Sequence, residues 1–236
     1  MQGGQKDNAI TREATAEILV LEENVDAVRE YAASVQGAWR EEYAGTDEGI
    51  TVTVEDEGKQ EVRVLHPTSK EKVIFFLVNV PYGVQKMSGT IKGLVETSTN
   101  IGILKTSENE VMGSSSIRSS VETARDSLSD KIAYLTEFLG GEYERQGVPA
   151  WEYRKDSPLR DKMVEVYEEM YGQKPNVVAI HAGLECGLFY KKMEGLDCVS
   201  LGPDMKDIHT SEEVLSISST ERVWKYLVKV LEALKE

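Results

Sequence analysis

Two continuous apolar runs, 176–180 and 197–202, flank a short helical stretch at 184–193, and this arrangement constrains the C-terminal part of the chain more than any other feature. An unbroken apolar run is buried on both faces, so each run reads as a strand of a parallel sheet and the stretch between them as its crossover helix. A helix with stripe Val223, Tyr226, Leu227, Val230 and Leu234 follows, with Ser218 and Glu221 at capping-box spacing. Upstream, Ser157-Pro158 starts a helix and Gly172 with Pro175 stops it. Two strands are too few for a parallel sheet to cover both faces, so 148–236 reads as an α/β piece of a larger domain.

Residues 1–147 follow a different pattern. Residues 9–20 alternate as a half-buried strand, with Ile10, Ala14, Ala16, Ile18 and Val20 on one face. Asn24 caps a helix whose apolar stripe is Val25, Val28, Ala32, Val35 and Trp39. The runs Ile50 to Val54 and Val62 to Val64 predict a hairpin, and Thr68 with Glu71 predicts a capped helix that stops at Pro81-Tyr82-Gly83. Strands are expected at 95–105 and 111–120. A long amphipathic helix then runs from Val121 to Phe138 and ends at Gly140-Gly141. The expectation is an α+β layer, with helices on one face of a mainly antiparallel sheet.

Charge narrows the partners. The chain carries 41 acidic and 27 basic residues, a formal charge of −14, which repels nucleic acid and anionic membrane surfaces. No apolar run approaches the roughly 20 residues that span a bilayer, and residues 1–7 lack the apolar core of a signal peptide, so a cytoplasmic location is expected. Cys186 and Cys198 are too few for a disulfide framework and read as structural thiols.

Chemistry concentrates after the two apolar runs, the position where open α/β sheets bind ligands. His181 follows the first directly, and it is either a hydrogen-bond donor for a substrate oxygen or a strand-end side chain satisfied by backbone. Glu185, one turn on, could hold that imidazole or face a substrate. His209 lies in the polar loop after the second run and is either a zinc ligand or a solvated histidine. His66, beside Pro67, reads as structural. The pairs Glu22-Glu23, Glu41-Glu42, Glu168-Glu169 and Glu212-Glu213 read as solvated charges. There is no Ser-His-Asp order with a nucleophile elbow, no glycine-rich phosphate loop and no Cys-x-x-Cys pair.

In order along the chain stand Gly3-Gly4, Asn8-Ala9-Ile10-Thr11-Arg12-Glu13-Ala14, Asn79-Val80-Pro81-Tyr82-Gly83-Val84, Gly93-Leu94-Val95-Glu96-Thr97-Ser98 and Ser116-Ile117-Arg118-Ser119-Ser120. The blocks Ile180-His181-Ala182-Gly183-Leu184-Glu185-Cys186-Gly187 and Leu201-Gly202-Pro203-Asp204-Met205-Lys206-Asp207-Ile208-His209-Thr210 complete the series. Together they resemble the C-terminal half of the aminoacyl-histidine (Xaa-His) dipeptidases, co-catalytic zinc exopeptidases. The resemblance implies that 1–147 is most of a lid that dimerises and helps bind substrate, and that 148–236 is the C-terminal part of the catalytic domain. It implies His209 as the last zinc ligand, with two zinc ions in the complete enzyme. His181, Glu185 and Asn8 become substrate-binding candidates, and Arg118 a candidate for the peptide's C-terminal carboxylate. The implied reaction is hydrolysis of an Xaa-His dipeptide by zinc-activated water.

Departures are as informative. Thr11 stands where the family usually has proline, and the family's His-x-Asp motif, bridging aspartate and Glu-Glu pair, which precede the lid, have no counterpart here. The expected partners are therefore a dipeptide, a second copy through the lid and a separate N-terminal catalytic segment, and the chain alone is expected to be inactive. The alternative is a non-catalytic dimerisation or interaction module derived from the lid.

Overall fold

The computed structural model describes residues 1–147, 149–179, 184–208 and 210–235. Its centre is an antiparallel sheet built on β4 (Val95–Thr106). One edge of β4 pairs with β5 (Val111–Ser119), with Thr97 opposite Ser119 and Thr106 opposite Val111. Its other edge pairs with β3 (Gly83–Met87) at one end and with β1 (Gln2–Gly3) at the other, and β2 (Ala14–Thr15) lies outside β1. The two long strands fall where the hydropathy places them, whereas β3 begins at the Gly83 turn that sequence reading takes only as a helix stop.

The stretch 9–20 is not a half-buried strand. Only Ala14 and Thr15 pair, and Ile10 is 75% and Ile18 64% exposed. Residues 4–13 instead form a strap laid across β4, closed by the Gly4 N–H donating to the Glu13 carbonyl at 3.2 Å. Hydrogen bonds between strap and strand displace the alternating pattern, because backbone groups must find partners whatever the side chains prefer.

Helix α1 (Val25–Glu42) enters through a 3-10 turn at Glu22–Asn24, and no Asn24 side-chain cap forms. The expected hairpin at 50–64 is also absent. The first run is drawn to α1 instead, with Arg40 Nε donating to the Ile50 carbonyl at 2.7 Å and the Val52 N–H donating to Gln36 Oε1 at 2.7 Å. Side-chain bonds of this kind compete with a strand ladder. Helix α2 (Pro67–Asn79) is capped by His66, whose Nδ1 accepts from the Thr68 N–H at 3.3 Å, so the cap lies two residues before the expected Thr68. Helix α3 (Glu122–Phe138) meets its expected bounds and packs on β5, burying Leu128 and Ile132. Gly140 ends it at φ +82°, a conformation only glycine adopts without strain.

The remaining core joins α4 (Pro158–Tyr171) to α6 (Ile217–Ala233), where Met163, Val166, Tyr226 and Val230 form one buried cluster. The Tyr226 hydroxyl donates to the Met163 carbonyl at 2.7 Å, so its polar end is satisfied inside the cluster. Ser216, two residues before the expected Ser218, caps α6. Between these helices lie α5 (Glu185–Lys192) and a two-stranded ribbon, β6 (Met205–Lys206) with β7 (Val214–Leu215). The described parts of 176–180 and 197–202 join no sheet. An apolar run becomes a strand only where a neighbour pairs with it, and neither run has one among the described residues.

Segment 197–202 instead completes α4. Ser157 Oγ accepts from the Arg160 N–H at 3.1 Å and donates to Asp197 Oδ1 at 2.7 Å, while Asp197 Oδ2 accepts from the Leu159 N–H at 2.9 Å. Two donors of the first turn are thus answered by one local and one distant side chain. Burial pushes the Asp197 carboxyl up, but the Ser157 hydroxyl, the Leu159 N–H and the charges of Arg154 and Arg160 outweigh it and hold the group below its ordinary range. Its contribution to stability is therefore present above the unfolded carboxylate pKa of about 3.9 and is lost as pH falls through the lower folded value. Asp197→Ala is expected to destabilise the fold by about 1–2 kcal/mol at pH 7 and by little in strong acid. Urea unfolding at the two pH values measures this, and equal losses at both would refute the role.

Candidate substrate cleft

The strap positions the first candidate residues. Asn100 on β4 donates from Nδ2 to the Asp7 and Ala9 carbonyls at 3.0 and 2.8 Å, and its Oδ1 accepts from the Ser116 N–H of β5 at 3.3 Å. One amide thus holds the strap on the sheet. Thr11 Oγ1 adds a bond to the Ile101 carbonyl at 3.1 Å. Gly102 permits the close crossing, because a Cβ there would lie 2.3 Å from the Asp7 carbonyl oxygen and 2.4 Å from that of Lys6. Nothing local in the sequence marks Asn100, whereas Gly102 carries a signal, since a glycine inside a strand pattern accompanies close backbone approach.

This anchoring brings two of the predicted residues together. Arg118, half-buried on β5 opposite Ser98, donates from Nη2 to the Asn8 carbonyl at 3.3 Å. Asn8 and Arg118 both line a cleft of about 2690 Å³ that runs past β4, β5 and α3 to Val177, Leu184 and Lys191. That is several times the roughly 300–1,000 Å³ of a small-ligand pocket, so this is an open groove rather than a closed cavity. The planar guanidinium of Arg118, one arm of which meets the strap backbone at Asn8, has the fork geometry that suits a carboxylate.

Several further charges in or beside the groove are paired. Glu96 on β4 is 7% exposed and has Lys86 Nζ of β3 at 2.7 Å from Oε1, an ion-pair contact without hydrogen-bond alignment. Arg125 on α3 bonds Asp126 and Glu122, and Lys191 of α5 reaches Glu122 at 3.2 Å, which ties α5 to α3. Burial pushes Asp126 up, yet Arg125 and Arg145 together draw it below its ordinary range.

The other predicted residues fall elsewhere. Glu185 opens α5, is exposed and does not line the groove with Asn8 and Arg118, and no hydrogen bond or ion pair engages its side chain among the described residues. His181 and His209 lie outside the described residues. Among the described residues no group of three or more His, Cys, Asp or Glu side chains stands where a metal ion could be held, so these residues by themselves do not fit a zinc centre. No helix among them is long and apolar enough to cross a membrane.

No protein-family model matches the chain. Over 230 residues it is 31% identical to the cytosol non-specific dipeptidase of Escherichia coli (strain K12), a match covering 97% of this chain and 47% of that protein. Among solved structures it is similar to the aminoacylhistidine dipeptidase of Vibrio alginolyticus, at 34% identity and a TM-score of 0.86, covering 98% of this chain and 47% of that one. Aminopeptidase PepT from Bacillus cereus shares the fold at 14% identity and a TM-score of 0.56, covering 71% of this chain and 46% of that one. The chain spans about half the length of the relatives it matches.

Proposed function

From the premise that this chain is related along its length to aminoacylhistidine and cytosolic non-specific dipeptidases, we propose that it is the part of such an exopeptidase that receives the peptide and joins two copies. Residues 1–147 act as lid and dimer surface, and 148–236 as the C-terminal portion of the catalytic domain. The reading includes an Xaa-His substrate, a cytoplasmic location and two zinc ions in the complete enzyme, with His209 as this chain's ligand and His181 and Glu185 facing the peptide. The described residues do not fit a two-zinc centre by themselves, so this chain's own work is to bind and orient.

The contact of Arg118 with the Asn8 carbonyl on the groove wall carries the reading. A dipeptide's C-terminal carboxylate seated there takes a charge-assisted pair of hydrogen bonds from the guanidinium, while the strap fixes the peptide's direction. The remainder of the peptide then lies along the groove toward α5.

The test is binding of Ala-His and of its C-terminal amide, followed by NMR on the full chain. The free carboxylate is expected to bind at least tenfold more tightly, and Arg118→Ala to abolish that preference, a loss of about 1.5–3 kcal/mol. Equal binding of acid and amide would overturn the assignment of this corner. Ala-His hydrolysis with added zinc is expected to be absent from the chain alone, and turnover above the blank would refute its dependence on a further segment. A second reading, a non-catalytic dimerisation module, draws support from exposed apolar side chains such as Trp224 and Tyr134, at 66% and 74%. It predicts dimers with no carboxylate preference.

A further inference from the structure

Cys186 and Cys198 are the chain's two cysteines, and the fold brings them together. Twelve residues apart in sequence, they approach across the turn after α5, where Cys198 Sγ lies 3.9 Å from the Cys186 carbonyl oxygen. Both are half-buried, which shelters them from large reagents but leaves them within reach of small ones. Burial pushes the Cys198 thiol up, and the neighbouring Cys186 thiol adds to that shift.

The backbones on either side are held in place. Cys186 precedes Gly187, where a Cβ would lie 2.7 Å from the Pro149 carbonyl oxygen, so the first turn of α5 is pressed against the chain entering from 149. Cys198 follows Asp197, fixed by its bonds to Ser157 and Leu159. Between them, the Leu196 N–H donates to the Met193 carbonyl at 3.1 Å and Arg154 Nη1 donates to the Gly195 carbonyl at 2.8 Å, which close the turn. Two thiols on anchored backbones this near in space have a high effective concentration for each other.

We propose that Cys186 and Cys198 form a reversible dithiol–disulfide pair, a redox staple that fastens α5 to the segment capping α4. With hydrogen peroxide as the oxidant, each thiol gives up one proton and one electron and the sulfur–sulfur bond forms. Peroxide takes both electrons and both protons and leaves as two molecules of water. A dithiol reductant reverses the step by thiol–disulfide exchange. The staple closes a short loop next to Glu185, so oxidation stiffens the start of α5 at the end of the groove that Leu184 and Cys198 line. Because thiolate is the attacking form, oxidation is faster at alkaline pH.

The full chain is treated with a small excess of hydrogen peroxide, denatured, alkylated and weighed. The expected product is a single chain lighter by two hydrogens, with neither thiol alkylated, and dithiothreitol restores both. Hydrogen exchange of the α5 amides is expected to slow about tenfold in the oxidised form. Cys186→Ser and Cys198→Ser should each abolish the lighter product. Two alkylatable thiols after peroxide, oxygen adducts in place of the lighter mass, chains linked to each other, or α5 exchange unchanged by oxidation would each overturn the proposal.

Discussion

Sedimentation of the chain at micromolar concentration is expected to give dimers or larger species, with little free monomer. A compact monomer of 26.3 kDa exposes about 10,600 Å², whereas this chain exposes 18158 Å². The excess is rich in apolar side chains. On α6 the residues Ile217, Trp224 and Leu231, each seven after the last, stand 86%, 66% and 54% exposed on the side away from α4. Among the described residues strand β5 (nine residues) pairs with β4 on one edge, and no other strand lies along its second edge. A free edge of that length pairs readily with the same strand of another copy, giving an isologous two-fold contact. The charge of −14 opposes approach only over about 8 Å at physiological salt, so association should tighten as salt rises. Met112→Lys places a charge on β5 and is expected to weaken the dimer about tenfold or more, if the edge is the seam. Trp224→Glu tests α6 in the same way. A clean, folded monomer would count against the dimerising role altogether.

Gly102→Ala is expected to cost more than about 3 kcal/mol, a large effect for the addition of one methyl group. The added Cβ has carbonyl oxygens of Asp7 and Lys6 at 2.3 and 2.4 Å, and these are backbone atoms that no rotamer change can move. The strap must lift, and with it go the Asn100 and Thr11 bonds and the Asn8 contact to Arg118. The same change at Gly113, on neighbouring β5 with nothing within 4 Å of its Cβ position, supplies the control and should alter stability by about 0.5 kcal/mol or less. Denaturant unfolding compares the two, and proteolysis within residues 5–13 reports the strap directly. Similar losses at both glycines would show that the strap is not held as described. Carboxylate binding should disappear with Gly102→Ala and survive Gly113→Ala.

These two tests bear on the parts of the structure that the sequence conceals. Helices α3 and α4 are legible because their signals are local: an apolar stripe at 3.6-residue spacing, Ser157-Pro158 at one start, and glycines at 140 and 172 in the left-handed region at their ends. Strand β4 is legible from its Val, Thr and Ile residues, and β5, with only Val111 and Ile117 of that kind, lies where a further strand is expected. The strap is not, since its bonds join residues about 90 apart and its apolar side chains, such as Ile10, end in solvent. The false hairpin at 50–64 has the same origin, as alternation predicts a strand but cannot reveal that Arg40 and Gln36 compete for its backbone. At the candidate site, Arg118 stands out in the sequence for its chemistry, while the reason it meets Asn8 lies in Asn100 and Gly102, whose roles exist only in three dimensions.

The completion of α4 by Asp197 has a consequence for how this chain is made. During synthesis Pro158–Tyr171 can begin to coil as soon as it leaves the ribosome, but the acceptor for its Leu159 N–H arrives 38 residues later and the hydroxyl seated on its Met163 carbonyl 63 residues later. Helix α4 is therefore expected to fray until α6 has emerged, and the two helices and the 197–202 stretch to order together. Until then Met163 and Val166 lack the α6 side chains that bury them.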